Sequence, residues 1–294
     1  MDLQEILLVS MASKKTAFII RSILPMNWFN LELSFFSGTT TLVFGVKRPW
    51  DLVLIKGQNT GDVYQFQIAQ HNGDITHQWT SPDLEAIVKS LMSHFALVFN
   101  PSISIHFEEV FSEEFMMGVM DHVKQLNLVK KSIILSQVSM SSENYRHILH
   151  ECKEVSKLLL FCKVESGFEC RAGPDFRIDY LHVSDGHWMH LDDFSNCKKV
   201  KVFDRSEHKQ PKYANLEVPR SLIRKWIETE CRLQHLEVRG GRGGIDFREV
   251  LSGLEYRTIE QTVDSHSVEI TRRCYGKKAI VTCEEYEFEL KVID

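Results

Sequence analysis

The chain has 294 residues, of which 43% are hydrophobic and 26% charged, with a net charge of -5 and a pI near 6.2. This is the composition of a globular protein that buries a sizeable core, and its acidic balance argues against a general nucleic-acid-binding surface. We expect no membrane span and no cleaved leader, because no apolar run approaches about 20 residues and no leader pattern occurs. The seven cysteines, an odd number without a C-x-x-C pair, predict reduced, buried thiols in a cytoplasmic or nuclear protein.

The first segment of the chain has apolar residues at helical spacing. Apolar residues predict two short helices over residues 2–9 and 12–23, which together are too small to form a domain, so their exposed face should dock on something. Over residues 28–79 the period becomes two, with turn residues between five apolar runs. This pattern predicts an antiparallel meander. Residues 81–83 (Ser-Pro-Asp) then begin a helix that continues to about residue 95.

Residues 215–238 contain the most informative stretch, a helix followed by a short apolar strand. Pro219 suits a first helical turn, and the residues after it place an apolar face on one side of a helix. Leu233, Leu236 and Val238 then read L-x-x-L-x-V, the opening of a leucine-rich-repeat strand. Such a unit cannot bury its apolar face alone, which predicts further units in the chain.

The same spacing recurs at residues 155–160 and 197–202, and another short strand is predicted at 178–183. Two earlier strands are predicted at 102–107 and 132–135, and helices at 115–126 and 141–154. A single stacked parallel sheet is the interpretation that uses all six strands. Beyond residue 246 the pattern predicts a short helix at 247–251 and alternating strands at 268–272, 279–283 and 286–292.

The predicted fold is therefore α/β, α+β overall. It consists of short N-terminal helices, an antiparallel meander, an irregular leucine-rich-repeat-like parallel strand and helix solenoid, and an antiparallel C-terminal cap. The corresponding domain prediction is 1–24, 25–100, 101–254 and 255–294.

Two histidine groups contain residue types that ligate metals. His187 and His190 have i, i+3 spacing with His182 nearby, and a second group consists of His147, His150 and Cys152. Zinc usually takes four ligands in tighter combinations, so partly exposed histidines near helix ends explain these residues better. We expect no metal and no cofactor.

Ser184, Asp185 and His187 are the residue types of a hydrolase triad, but they are neighbours in sequence, whereas the fold assembles a triad from distant residues. The chain has no nucleophile elbow, dinucleotide-binding turn or P-loop. We therefore expect a protein without catalytic residues, not an enzyme.

One nucleic-acid signal is present, the RGGRGG stretch at residues 239–244. RNA-binding tracts of this kind are repeated and interleaved with aromatic residues, and this is a single copy. A flexible loop is the favoured interpretation. RNA binding through Arg239 and Arg242 stays a third hypothesis behind two protein-interaction functions.

Three stretches resemble the nematode F-box proteins that carry an F-box-associated domain of the second type. Residues 1–24 carry the run M-D-x-x-E-I and then S-x-x-S-K-K, which is similar to the second half of the F-box. Residues 216–253, with RKWIETECRLQHLEV and DFREVLSG, look like the F-box-associated domain. The tail VEITRRCYGKKAIVTCEEYEFELKV is also similar to the end of those proteins.

The resemblance implies that the N-terminal helices dock on a Skp-type adaptor of a cullin ubiquitin ligase and that the remainder captures an unknown protein substrate. On this basis Leu3, Ile6, Leu7 and Met11 are expected to face the adaptor or to form the F-box core. The F-P-x-L-x-L-P segment that precedes this run in the family is not in the chain. Two interpretations follow: a protein that begins upstream, or a scaffold with a defective F-box that works independently of ubiquitin.

Overall fold

The computed structural model describes residues 2–25, 28–46, 52–69, 75–108, 111–203, 217–239, 247–262, 265–284 and 287–293. The chain divides into two compact units, Met1–Val138 and Ser139–Asp294. Each unit combines a mixed β-sheet with helices, which confirms the predicted mixture of helix and strand, α+β overall. The division into four segments stays a prediction.

The first unit joins an antiparallel meander to parallel strands. Its strands are β1 Phe29–Phe36, β2 Thr39–Val46, β3 Leu52–Asn59, β4 Tyr64–Ala69, β5 Ile75–Ser81, β6 Ser102–Glu108 and β7 Lys130–Ser139. Its helices are α1 Leu3–Ala12, α2 Lys14–Ile23, α3 Leu84–Phe99 and α4 Glu113–Gln125. The strand order is β7-β6-β1-β2-β3-β4-β5, with β1 to β5 antiparallel and β1, β6 and β7 parallel. The five alternating runs of residues 28–79 are thus the meander strands.

Side-chain caps fix the helix starts in this unit. Asp2 and Glu5 form a capping box at the start of α1, in which each backbone N–H donates to the other residue's carboxylate at 3.0 and 2.8 Å. Ser13 has an extended backbone between α1 and α2, and its hydroxyl accepts a hydrogen bond from the N–H of Thr16 at 3.1 Å. Asp83 caps α3 in the same way through the N–H of Ala86. The two predicted N-terminal helices are therefore separate elements.

An aromatic cluster forms the core where α3 meets the meander. The ring of Phe44 on β2 lies 5.3 Å from Phe29 on β1, 4.7 Å from Phe95 and 4.5 Å from Phe99 between centroids. All four side chains are buried, and offset or edge contacts at these distances add to the area they remove from water. This cluster anchors α3, on which α1 and α2 rest.

The second unit holds a parallel group of strands followed by an antiparallel group. Its strands are β8 Lys157–Lys163, β9 Tyr180–Val183, β10 Lys199–Phe203, β11 His235–Arg239, β12 Arg257–Gln261, β13 Ser265–Thr271, β14 Lys278–Glu284 and β15 Glu287–Ile293. Its helices are α5 Ser142–Glu151, a 3-10 helix Leu191–Asn196, α6 Glu217–Glu228 and α7 Phe247–Val250. The order is β12-β13-β14-β15-β11-β10-β9-β8, in which β8 to β11 are parallel and the others antiparallel.

Residues at the central position of the L-x-x-L-x-V spacing pair with one another across neighbouring strands of this sheet. Leu158, Leu181, Val200 and Leu236 are direct neighbours on β8 to β11, and the row continues to Leu290 on β15. All five side chains are buried. The spacing recognised in β8, β10 and β11 therefore corresponds to neighbouring buried positions, and β9 supplies a further residue to the same row. Whether the units repeat as a solenoid stays a prediction.

The C-terminal strands extend the same sheet, because β15 pairs antiparallel with β11. The three strands predicted for this segment correspond to β13, β14 and β15. Strand β12 was not predicted. Every residue in it is exposed, so no apolar alternation marks it in the sequence.

The cysteines are all free thiols. Four are buried, and burial raises the pKa of Cys162 and Cys197 to about 12 and that of Cys283 to about 11. Cys170, Cys231 and Cys274 are partly exposed, so the prediction of buried thiols applies to four of the seven. None of the described helices has the length and apolar content that a membrane span requires.

Candidate partner-binding face of the N-terminal helices

Helix α1 is held on α3 by a buried polar contact. The hydroxyl of Ser10 donates to the carbonyl of Leu7 at 2.6 Å and lies 2.7 Å from Nε2 of His94 on α3. Because the hydroxyl hydrogen is already used, Nε2 of His94 is the donor in the second contact. Burial lowers the pKa of His94, which favours the neutral ring. This contact fixes which side of α1 faces inward.

The four predicted adaptor residues separate into two groups. Leu3 and Leu7 face the core, with 8% and 0% of their surface exposed. Ile6 is half-buried, and Met11 is 40% exposed. Leu3 and Leu7 are therefore buried in the interior of the first unit, and their assignment to an F-box core stays a prediction. The contact of Ile6 and Met11 with a partner stays a prediction.

Helix α2 presents apolar side chains on two sides. Ala17 and Ile20 are buried, whereas Phe18, Ile19 and Ile23 are 75%, 46% and 74% exposed. At roughly 100° per residue, Ile19 and Ile23 lie one turn apart on one side of the buried pair, and Phe18 lies on the other side of the helix surface. The exposed apolar residues of α2 therefore extend beyond the single stripe that the buried face requires.

Helix α1 adds to this surface. Val9 and Met11 are 41% and 40% exposed, and the hydroxyl of Thr16 on α2 donates to the carbonyl of Val9 at 2.9 Å, which ties the two helices together. We name the five exposed residues Val9, Met11, Phe18, Ile19 and Ile23, which do not all lie on one side of either helix, the N-terminal apolar face. Sequence reasoning foresaw an exposed face in this segment but assigned contacts to α1 alone. The sequence feature that could have indicated contacts on α2 is that this helix contains more apolar residues than one buried stripe requires.

The charged side chains of α2 are all basic. Lys14 and Lys15 are exposed at its start, and Arg21 is half-buried in its last turn. On α1 the exposed charges are acidic, with Glu5 one turn before Val9. The border of the N-terminal apolar face is therefore basic along α2 and acidic along α1.

The histidine groups have structural partners. Nδ1 of His187 lies 2.8 Å from the Asp185 carboxylate, and Nε2 lies 3.2 Å from the carbonyl of Glu165. Since both ring nitrogens are engaged, His187 is not placed to accept the hydroxyl proton of Ser184, which is itself buried. Within the described residues, no group of three His, Cys, Asp or Glu side chains could hold a metal ion.

Arg239 is engaged by carboxylates. Its Nε lies 2.8 Å from Glu237 and 3.0 Å from Glu287, and its guanidinium lies over the ring of Phe203 at 5.7 Å. The contact with Glu237 is an ion pair without hydrogen-bond alignment. Arg242, the other arginine of the RNA hypothesis, lies outside the described residues. Among the described residues, no observation favours RNA binding.

Fold and site together define a mixed α/β protein of two compact units with an exposed apolar helix pair at its start. The chain is similar to the Caenorhabditis elegans protein called Skn-1 dependent zygotic transcript 15 protein, with 28% identity over 195 residues. The match covers 62% of this chain and 52% of that protein, so the chain spans about half the length of the relative. No protein-family model and no solved structure matches the chain. The similarity agrees with the nematode-type resemblance at this coarse level.

Proposed function

We propose that the chain is a non-catalytic substrate-recognition subunit of a cullin-type ubiquitin ligase. In this proposal the N-terminal apolar face binds a Skp-type adaptor and the second unit binds a protein substrate. The observation that carries it is the exposure of five large apolar side chains on two adjacent short helices. Globular proteins rarely leave such a patch uncovered unless it is a binding surface.

The roles within the helix pair follow from burial. Leu3 and Leu7 hold α1 on the rest of the unit, since their side chains are buried. Met11, Phe18 and Ile23 make the adaptor contact in this proposal, because their apolar side chains are exposed in the chain alone and a bound partner would remove that area from water. Ile6 lies at the border of the two groups.

The sequence resemblance supports this proposal. The F-box-like run of residues 1–24 is the segment that forms α1 and α2. The ligase needs no chemistry from a receptor, because other subunits carry the thioester and the receptor supplies proximity. The nematode relative is compatible with this family but its name states no ligase role.

The second unit supplies the substrate surface in this proposal. Its parallel strands β8 to β11 lie side by side with helices and irregular segments between them, and the sequence spacing predicts that these segments act as a short repeat array. Arrays of this kind present an extended surface to a protein partner.

Substitutions at exposed positions of α2 test the proposed adaptor contact. We expect Phe18→Asp and Ile23→Asp to weaken co-purification of the full chain with a Skp-type adaptor at least tenfold, because each places a carboxylate in an apolar contact. Both side chains are about three-quarters exposed, so the chain should fold unchanged. Leu7→Asp is unsuitable, since that side chain is fully buried.

The matched control is Val129→Asp, which changes an exposed apolar residue of the same unit away from the helix pair. It should bind the adaptor like the unaltered chain. If the unaltered, folded chain bound no Skp-type adaptor, the ligase role would be rejected. The ubiquitin-independent scaffold would then be the remaining hypothesis.

A further inference from the structure

A small cavity of about 130 Å³ lies in the second unit, between the connection from α6 to β11 and the turn from β13 to β14. Four of the side chains that line it are positively charged, those of Lys198, Arg232, Arg272 and Lys277. No acidic residue is among the described residues that line it. Since a water molecule takes up roughly 30 Å³ in the liquid, the cavity has room for about four waters or for one small polyatomic ion.

The carboxylates that contact these side chains do not balance their charge. Oδ1 of Asp179 lies 2.8 Å from Nζ of Lys198 and 2.9 Å from Nη2 of Arg232, so a single carboxylate pairs with two cations. Lys277 is exposed and forms no ion pair with any described residue. The cavity therefore differs from a surface on which each cation has its own carboxylate.

Arg272 is the buried charge of the group, with 5% of its surface exposed. Its guanidinium donates to the carbonyls of Trp226 and Cys231 and, at 3.2 Å, to Sγ of Cys231. These neutral partners use three of its five N–H groups, so one N–H on Nη1 and one on Nη2 have no partner in the described part of the chain. Glu228 and Glu230 in the adjoining connection are exposed, and neither lines the cavity. A buried cation without an anionic partner is costly, and an anion beside it would offset that cost.

The surplus of charge indicates which kind of anion fits. Four cations and the carboxylate of Asp179 leave a formal surplus of three positive charges, of which the carbonyls at the end of α6 offset roughly half a unit. A surplus of this size favours a dianion over a monoanion. Two guanidinium groups in one wall also match the several oxygens of a tetrahedral oxyanion.

We propose that this cavity binds a phosphoryl group, either as inorganic phosphate or as a small phosphate monoester. The buried guanidinium of Arg272 donates to its oxygens from the inside, and Arg232 and Lys277 contact it from the solvent side. This inference does not rest on the proposed ligase role, because it involves no residue of the N-terminal helices.

Isothermal titration calorimetry of the full chain at constant ionic strength tests the proposal, with inorganic phosphate, phenyl phosphate and acetate as the probes. At least one of the two phosphates should bind with a Kd of about 1 mM or lower, and acetate at least about tenfold more weakly because it carries a single charge. Tighter binding of inorganic phosphate would identify the free ion as the ligand, and tighter binding of phenyl phosphate a monoester. Failure of both phosphates to reach this affinity, or equally tight binding of acetate, would overturn the proposal.

Two substitutions at the solvent side locate the site. Lys277→Gln should weaken phosphate binding at least about fivefold and Arg232→Gln about tenfold, and the second change leaves Asp179 paired with Lys198. Arg273→Gln is the matched control, since it removes a charge from an exposed side chain next to Arg272 that does not line the cavity. Its affinity should be unchanged. Circular dichroism confirms that each variant is folded, and equal affinities of the three variants would contradict the assignment.

Cys231 gives a local measurement, because it lines the cavity and is partly exposed. Saturating phosphate should slow its alkylation by iodoacetamide at least about threefold, as measured by mass spectrometry, by restricting access to the thiol. Cys170 is also partly exposed but does not line this cavity, so its rate should not change. If phosphate slowed both thiols alike or neither of them, the proposed location would be wrong. None of these measurements contains an adaptor, so their failure would leave the adaptor result unaffected.

Discussion

A single buried arginine joins the C-terminal strands to α6. Arg272 follows β13, and its Nε donates to the carbonyl of Trp226 at 3.1 Å while Nη1 donates to that of Cys231 at 3.3 Å. Its guanidinium also lies over the Trp226 ring at 4.3 Å. The charge is buried without a carboxylate among these contacts and is stabilised by carbonyls near the end of a helix, where the helix dipole is negative.

We expect Arg272→Met to lower the free energy of unfolding by about 2–4 kcal/mol, because it leaves buried carbonyls without donors and removes the contact with the ring. Urea denaturation measures the change. Arg273→Met removes the same charge one residue later from an exposed side chain, and should cost less than about 0.5 kcal/mol. Equal effects of the two changes would show that Arg272 does not act through its buried contacts.

The sequence alone could not show which apolar residues of α1 are buried in the fold and which are exposed to a partner. Leu3, Leu7 and Met11 are all apolar and all have helical spacing, and both a core stripe and a contact stripe require that pattern. Their roles depend on α3, which is some 70 residues further along the chain and positions α1 through His94. Only tertiary structure could show that Leu7 is fully buried and Met11 is not.

At the scale of elements, the meander depends on a glycine. Gly57 on β3 is paired with Phe66 on β4, and a Cβ at Gly57 would lie 2.6 Å from the Phe66 ring. That ring is fully buried and stacks on Trp79 at 5.6 Å. The glycine therefore provides the space in which the aromatic side chain lies across the strand.

Gly57→Val should destabilise the protein by about 1–3 kcal/mol, since either the strand pair or the Phe66 ring must shift. The midpoint of thermal unfolding gives the comparison. Gly167→Ala is the control, because nothing lies within 4 Å of its Cβ position. A Gly57→Val protein as stable as the Gly167→Ala protein would contradict this account of the β3–β4 pair.

The strands were predictable where burial is periodic and local. The spacing of Leu158, Val200 and Leu236 was noted in three strands, and these residues occupy one register row of the sheet together with Leu181 of β9. Strand β12 has no buried residue, so no pattern indicated it. The parallel pairing of β1 with β6 joins residues more than 70 positions apart, and both strands alternate in the same way, so periodicity could not identify the partner.

At the scale of the molecule, ion pairs in the second unit predict that the free energy of unfolding decreases at acidic pH. The pKa of Asp193 is lowered by the Arg171 guanidinium and the N–H of Ala172, although burial alone would raise it. The pKa of Asp179 is lowered by Lys198 and then Arg232. A carboxyl whose folded pKa lies below its unfolded value of about 3.9 stabilises the fold above that value and loses this contribution as pH falls through the folded pKa.

We therefore expect the urea midpoint to decrease as pH falls from about 5 toward 3. Asp193→Asn should decrease less over the same range, because its side chain cannot take up the proton. Denaturation curves at each pH, monitored by circular dichroism, measure both proteins. An identical decrease in the two would show that the Arg171–Asp193 pair does not contribute to acid sensitivity.

The most direct test of the central claim is hydrogen exchange of the full chain, measured by mass spectrometry with and without a Skp-type adaptor. The account predicts slower exchange in residues 9–23, which include the N-terminal apolar face, and unchanged exchange in α6 of the second unit. Protection confined to the second unit, or no protection anywhere with the adaptor in excess, would contradict it.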